Sequence, residues 1–324
     1  MNDASNPTDR RRGGWGFVLR LVGTAVVLAL LLSFLPVGQL WAAIRRVPSQ
    51  AWLTVLGGYL AAHLIGVLKW RLMVNLAGAG LDHSQAARCY FAGLFGNIFL
   101  PSLIGGDLIR AGLALRMGRS KAGVLLGSLV DRILDIFGIT CIAVTGAMLA
   151  PGALDPRSRR IFWGIAAAFV IGAAAAAALA ALMPARRLSL KNRRRLVNVR
   201  RAARAMARQP HRVALTLSLG LTFQCSLILL MARLAPACGL QVPLRAWFFA
   251  YPLAKLAALL PVTQGGIGVR EAALAALLVP FGAPAVLTVA VGLIWETIVI
   301  TGGLIGGAFS FLSGRTSKPV VSGQ

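Results

Sequence analysis

The stretch "LPSLIGGDLIR" (100–110) lies inside a long apolar run, where a proline, two glycines, an aspartate and an arginine are all out of place in a transmembrane helix. Residues 260–270 read "LPVTQGGIGVR", so the frame Leu-Pro, three residues, Gly-Gly, three residues, Arg occurs twice. Each copy reads as a helix broken at the Pro/Gly-Gly step and charged just beyond it. Irregular backbone at membrane depth is tolerated only where protein buries it or where it lines a wet cavity. Two such breaks, set among ordinary spans, decide the fold.

The composition places them in a membrane. Of 324 residues, 57% are apolar and 13% charged. Full-length spans are expected at 16–35, 51–69, 122–149, 161–183, 213–234 and 285–311, with the broken stretches 86–116 and 246–282 between them. In the first of these the arm Cys89–Leu100 has 12 residues. At about 1.5 Å per residue it crosses roughly half the membrane. The expected architecture is an all-α polytopic membrane protein with about six full transmembrane helices and two inverted re-entrant helical hairpins. Residues 1–15 form a basic tail, 16–312 one transmembrane domain and 313–324 a second tail. Inside the domain a first repeat (about 51–149) and a second (about 213–311) are joined through a basic connector, 184–212. The long apolar run after the basic N-terminal tail is expected to stay as a first helix, since no clean small-residue cleavage site follows it.

The net charge of +25 is concentrated rather than spread: eleven basic residues and no acid fall in 184–212. In a membrane protein such a connector obeys the positive-inside rule and lies against anionic headgroups, so no nucleic-acid partner is expected. If each broken stretch crosses once, this connector and the Arg10–Arg12 tail end up on opposite sides. If each is a hairpin, both lie in the cytoplasm, together with Lys69, Arg71, Arg88, Arg116, Arg119, Lys121, Arg315 and Lys318. The second topology is favoured, with both termini cytoplasmic. It makes the first hairpin open to the cytoplasm and the second to the other side, an inversion met in transporters that bind substrate between their repeats. Gly127 four residues before Asp131, and Gly292 four before Glu296, give a weaker echo of the same duplication.

Five of the nine acids, Asp107, Asp131, Asp135, Glu271 and Glu296, fall within membrane segments, with Arg110, Arg132, Lys255 and Arg270 beside them. Ionisable groups there mark a cavity or pathway, or else neutralise one another and fix helix packing. Broken helices present unpaired N–H groups and a positive dipole end to an anion, and Gly105, Gly106, Gly265 and Gly266 allow close approach. Arg110 and Arg270 add forked phosphate contacts. "TGGLIGG" (301–307) has small-xxx-small spacing, read as helix packing. Cys89, Cys141, Cys225 and Cys238 form no CxxC pair, and His63, His83 and His211 are scattered, so no metal site and no cofactor are expected.

"GLFGNIFLPSLIGGDLIR" (93–110), "SLVDR" (128–132) and "LPVTQGGIGVREAAL" (260–274) resemble the signature of the lysylphosphatidylglycerol synthase transmembrane region family, also called flippase-like. The motif residues are Asn97, Pro101, Gly105, Gly106, Asp107, Arg110, Asp131 and Arg132, then Pro261, Gly265, Gly266, Arg270, Glu271 and, in the following helix, Glu296. The resemblance implies a bacterial inner-membrane protein that moves or handles lipids. In some relatives the membrane region is fused to a soluble aminoacyl-transferase domain; no such domain is present in this sequence. The leading expectation is a lipid translocator binding an anionic phospholipid or a lipid-linked phosphate. The rivals are an accessory subunit for a lipid-biosynthesis partner, and a membrane-embedded transferase starting from Asp107 and Asp131. A homo-oligomer remains open.

Overall fold

The computed structural model describes residues 32–99, 105–150, 203–259 and 266–316, with Thr263 and scattered positions in 22–30, 160–171 and 197–201. Its bounded helices are α1 (Val37–Arg45), α2 (Ser49–Leu76), α3 (His83–Phe99), α4 (Gly105–Met117), α5 (Lys121–Leu149), α6 (Pro210–Leu234), α7 (Leu244–Ala257), α8 (Val269–Leu278) and α9 (Ala285–Thr316). Among the described residues there is no strand.

Four segments are long and apolar enough to cross a membrane: Ser49–Leu76, Lys121–Leu149, Pro210–Cys238 and Ala285–Gly314. They answer the expected spans 51–69, 122–149, 213–234 and 285–311. The expected spans 16–35 and 161–183, and most of the connector 184–212, lie outside the described residues, as do Pro101, Pro261 and Gly265. The first matched helix corrects one expectation. It runs seven residues past Lys69 and ends only at the left-handed Gly78 (φ +91°), which places Lys69 inside the protein at 3% exposure rather than on the cytoplasmic surface.

Both broken stretches are helix–break–helix. In the first, α3 opens on a capping box: the Gln85 N–H donates to Asp82 Oδ1 (2.7 Å) while the Asp82 N–H donates to Gln85 Oε1 (3.2 Å). This cap starts the arm before its apolar part. The arm has 17 residues, longer than the 12 expected, and spans about 25 Å. Its return, α4, runs antiparallel: Cys89 Sγ meets Met117 Sδ at 4.0 Å, and a Cβ added at Gly93 would lie 2.9 Å from Arg110 Cβ. In the second stretch α7 and α8 are joined through Gly266, whose φ of +78° suits glycine alone; a Cβ there would come 2.6 Å from Ala258 Cβ.

The packing pairs occur twice. Counting from α2 and from α6, each set has a long helix, a helix pair and a second long helix. α3 packs on α9 as α7 packs on α5, α4 lies on α5 as α8 lies on α9, and α2 pairs with α6. That last pair is antiparallel, because Gly58 faces Leu230 whereas Lys69 faces Gly220. The glycines of "TGGLIGG" do the packing expected of them: Gly302 seats against Tyr59, Gly303 against Ile98, Gly306 against Phe91 and Gly307 against Phe95. Trp70, Trp247 and Trp295 fill the core.

Candidate functional site

Charged side chains collect at two places, one beyond each break. At the first, Lys69 of α2 reaches both acids of α5, with Nζ 2.9 Å from Asp131 Oδ1 and 2.5 Å from Asp135 Oδ1. Arg110 of α4 pairs with Asp107 one turn earlier (2.9 Å) and with Asp131 (3.5 Å), and Arg132 also pairs with Asp107. Three cations and three carboxylates therefore share one network. Asp131, 1% exposed, has both oxygens within ion-pair distance of Lys69 and Arg110 without the alignment of a hydrogen bond. The Arg110 guanidinium lies over Trp70 (4.9 Å) and Tyr90 (5.4 Å), and its buried Nε has no partner.

At the second place Arg270 of α8 donates from Nε (3.1 Å) and NH2 (2.7 Å) to Glu271 Oε1, and from NH2 to Glu296 Oε2 of α9 (2.5 Å). The other oxygen of Glu271 accepts the Gly268 N–H at 2.6 Å, so this carboxylate also caps its own helix. Gly292 makes the approach possible, since a Cβ there would lie 2.7 Å from Glu271 Cγ. Glu271 is fully buried.

Most residues singled out from the sequence thus converge, but as two clusters. Among the described ion pairs no carboxylate is shared by Arg110 and Arg270. The glycines and Asn97 hold the protein to itself: Asn97 Oδ1 accepts the Gly106 N–H at 3.0 Å, and the space a Gly106 side chain would need is taken by the Gly93 carbonyl and Asn97.

Between the clusters runs a buried belt that the sequence reading missed. His63 Nδ1 and the Tyr90 hydroxyl are 3.0 Å apart, and Gly66 leaves room for that hydroxyl. The His63 ring packs edge-on against Tyr59 (4.3 Å) and Phe223 (5.2 Å). Tyr59 leads on to Trp295 at 5.8 Å, and Trp295 to Tyr251 at 6.3 Å. Lys255 of α7 donates to Gln224 Oε1 at 2.8 Å. Its ammonium lies 5.9 Å from the centre of the Phe223 ring, the same ring that His63 packs against. His63 and Gln224 each stand 14 residues from the start of their helices, about 20 Å along the axis and deep in the span. The signals in the sequence were Lys255, already noted among the ionisable residues, and a histidine and a glutamine in the middle of apolar runs.

Long apolar helices around buried ion pairs define the class: a multi-pass helical membrane protein with a charged interior. The family model described as "Lysylphosphatidylglycerol synthase TM region" matches residues 17–307, and the chain belongs to that family. No curated protein matches it in a sequence comparison. Among the described residues no group of three or more His, Cys, Asp or Glu side chains gathers to hold a metal ion.

Proposed function

We propose that the protein is a lipid translocator of the bacterial inner membrane. In this reading α2–α5 and α6–α9 are repeats of inverted topology, α3/α4 and α7/α8 are re-entrant hairpins opening to opposite sides, and both termini are cytoplasmic. The observation that carries it is the duplicated cluster: in each unit the arginine after the break pairs with an acid of its own arm and an acid of the next long helix. Buried charge is expensive in a membrane and is kept where it works. The polar belt joining the clusters gives a headgroup a route other than hydrocarbon.

The ion pairs set the mechanism. Both arginines are engaged by carboxylates, so a lipid phosphate gains them only by taking a carboxylate's place. The Nε of Arg110 is buried without a hydrogen-bond partner, so it is a donor left for a phosphate once a carboxylate has moved aside. The clusters act as gates that open on exchange of one anion for another, and Asp107, Asp131, Glu271 and Glu296 are the groups displaced.

The accessory-subunit reading is favoured by one observation, the balance of three cations against three acids in the first cluster without any ligand. Proteoliposomes holding a headgroup-labelled phosphatidylglycerol decide between the two. Arg110→Ala and Arg270→Ala are each expected to slow lipid movement by about tenfold or more, the loss of one charge-assisted interaction, with Arg→Lys in between. Normal movement in both alanine variants, or none in the wild type alongside a copurifying enzyme, moves the accessory reading ahead. Cysteine labelling of 184–212 from outside the cell would end the inverted topology.

A further inference from the structure

A groove of about 690 Å³ runs between α3, α4 and the end of α9, away from both ion-pair clusters. This volume is within the range of small-molecule sites, roughly 300–1,000 Å³. Arg88 near the start of α3 and Arg116 near the end of α4 stand at its mouth, beside Gly314 of α9. Phe95, Ile109 and Leu113 form the walls. Arg88 and Phe95 are seven residues apart on α3, so the cationic mouth and the apolar floor are separated by about 10 Å.

The two arginines differ from every arginine and lysine of the clusters. No acidic residue lines the groove. Among the described residues neither Arg88 nor Arg116 enters an ion pair, whereas Lys69, Arg110, Arg132 and Arg270 all do. Arg88 Nε is buried with no hydrogen-bond partner, although the guanidinium is packed closely enough on α9 that a Cβ at Gly314 would lie 2.8 Å from its Cζ. A buried Nε–H without an acceptor leaves Arg88 with a donor to satisfy, while the exposed Arg116 stands free to turn toward the same anion. Ile109 and Phe311, which line the groove, are 37% and 62% exposed, so its apolar side opens to the protein's exterior.

We infer that this groove binds a membrane phospholipid with an anionic headgroup, its phosphate on Arg88 and Arg116 and an acyl chain along Phe95, Ile109 and Leu113. Two forked cations without a counter-anion fix the charge of the headgroup. The apolar depth fixes the source as lipid, since a free phosphate has no use for it. The site is separate from the clusters, and its occupation does not depend on the protein moving lipid.

The test uses the full chain in nanodiscs of phosphatidylcholine mixed with phosphatidylglycerol, with native mass spectrometry of the lipid retained after extraction into detergent. The wild type is expected to retain phosphatidylglycerol preferentially. Arg88→Gln/Arg116→Gln is expected to lower that preference by about tenfold, while Arg88→Lys/Arg116→Lys keeps part of it. Gly112→Trp fills the groove without disturbing the fold, since a Cβ at Gly112 meets nothing within 4 Å; it is expected to remove lipid of both kinds. An unchanged preference in the double glutamine variant overturns the inference. So does inorganic phosphate that displaces phosphatidylglycerol from the wild type while Gly112→Trp leaves binding intact, which would mean a free-anion site. An unchanged lipid preference in the double glutamine variant, with movement still slowed in Arg110→Ala, is failure of this site alone. Preference lost in the double glutamine variant, with normal movement in Arg110→Ala and Arg270→Ala, is failure of the translocator reading alone.

Discussion

The two clusters grow from the same frame of sequence and are built differently. Beyond the first break, three cations and three carboxylates on α2, α4 and α5 share a network whose edge is open: the Asp107 and Arg132 side chains are 23% and 35% exposed. Beyond the second, one arginine closes on two carboxylates, and Glu271 is 0% exposed. A shared network can lose one contact and redistribute the rest. A closed pair has nothing to redistribute, and Glu271 is also the cap of its helix. The repeat therefore duplicates a position for charge without duplicating its burial or its number of partners.

The sharpest way to break this comparison is to remove one acid from each side. Glu271→Ala leaves Arg270 half-paired and the Gly268 N–H orphaned in the interior, with an expected loss of about 3–5 kcal/mol and little folded protein. Asp107→Ala at the open edge is expected to lose about 1 kcal/mol. Thermal unfolding in detergent compares them, and equal losses would erase the distinction.

Lys69→Met tests sharing directly. It strips Asp131 and Asp135 of their common cation and is expected to destabilise by about 2–4 kcal/mol, with partial recovery in Lys69→Met/Asp135→Asn. Additive losses in the double variant would mean the two acids are not held by one charge.

The glycine echo sharpens the comparison at a smaller scale. A Cβ at Gly127 meets the Val74 α-carbon at 2.5 Å, whereas at Gly292 it meets the side chain of Glu271. Backbone yields less than a side chain, so Gly127→Ala is expected to cost about 2 kcal/mol and Gly292→Ala about 1 kcal/mol. The reverse order, measured in the same way, would mean that Glu271 is the more tightly held of the two.

The smallest effect is at the helix starts. α8 is capped from inside by Glu271, α3 from the surface by Asp82. Asp82→Ala is expected to lose about 1 kcal/mol. The Gln85 backbone N–H, chiefly, holds Asp82 below the usual carboxylate range. Its contribution is therefore complete above the unfolded carboxylate value and fades as pH falls through the lowered folded one. Asp82→Ala should remove that pH dependence from the melting curve.

How far the sequence could be read follows from these residues. The four long helices were legible because apolar length has one reading in a chain this hydrophobic. The breaks were legible because Pro and Gly-Gly have few uses inside such runs. Helix ends were not: Lys69 closes the apolar run in the sequence, but the helix continues through Trp70–Leu76, and the lysine turns inward to two acids. Mutual neutralisation of the buried charges was legible as a possibility, but not which acid each arginine reaches, because Asp131 and Glu296 come from other helices. The belt was illegible for another reason. His63, Tyr90 and Lys255 come from three helices, and only packing brings His63 to Tyr90 and both His63 and Lys255 to the Phe223 ring.

The crossing of partners between the two units also constrains how the protein is made. The first hairpin rests on α9, and roughly 170 residues must be synthesised between them, about 8–35 s at 5–20 residues per second. During that interval the glycine-lined seat for Phe91, Phe95 and Ile98 does not exist. Half a protein cannot be half assembled. The early hairpin has to wait beside lipid or an insertion factor, with Asp107 and Arg110 neutralising each other from one turn apart, until the last long helix arrives.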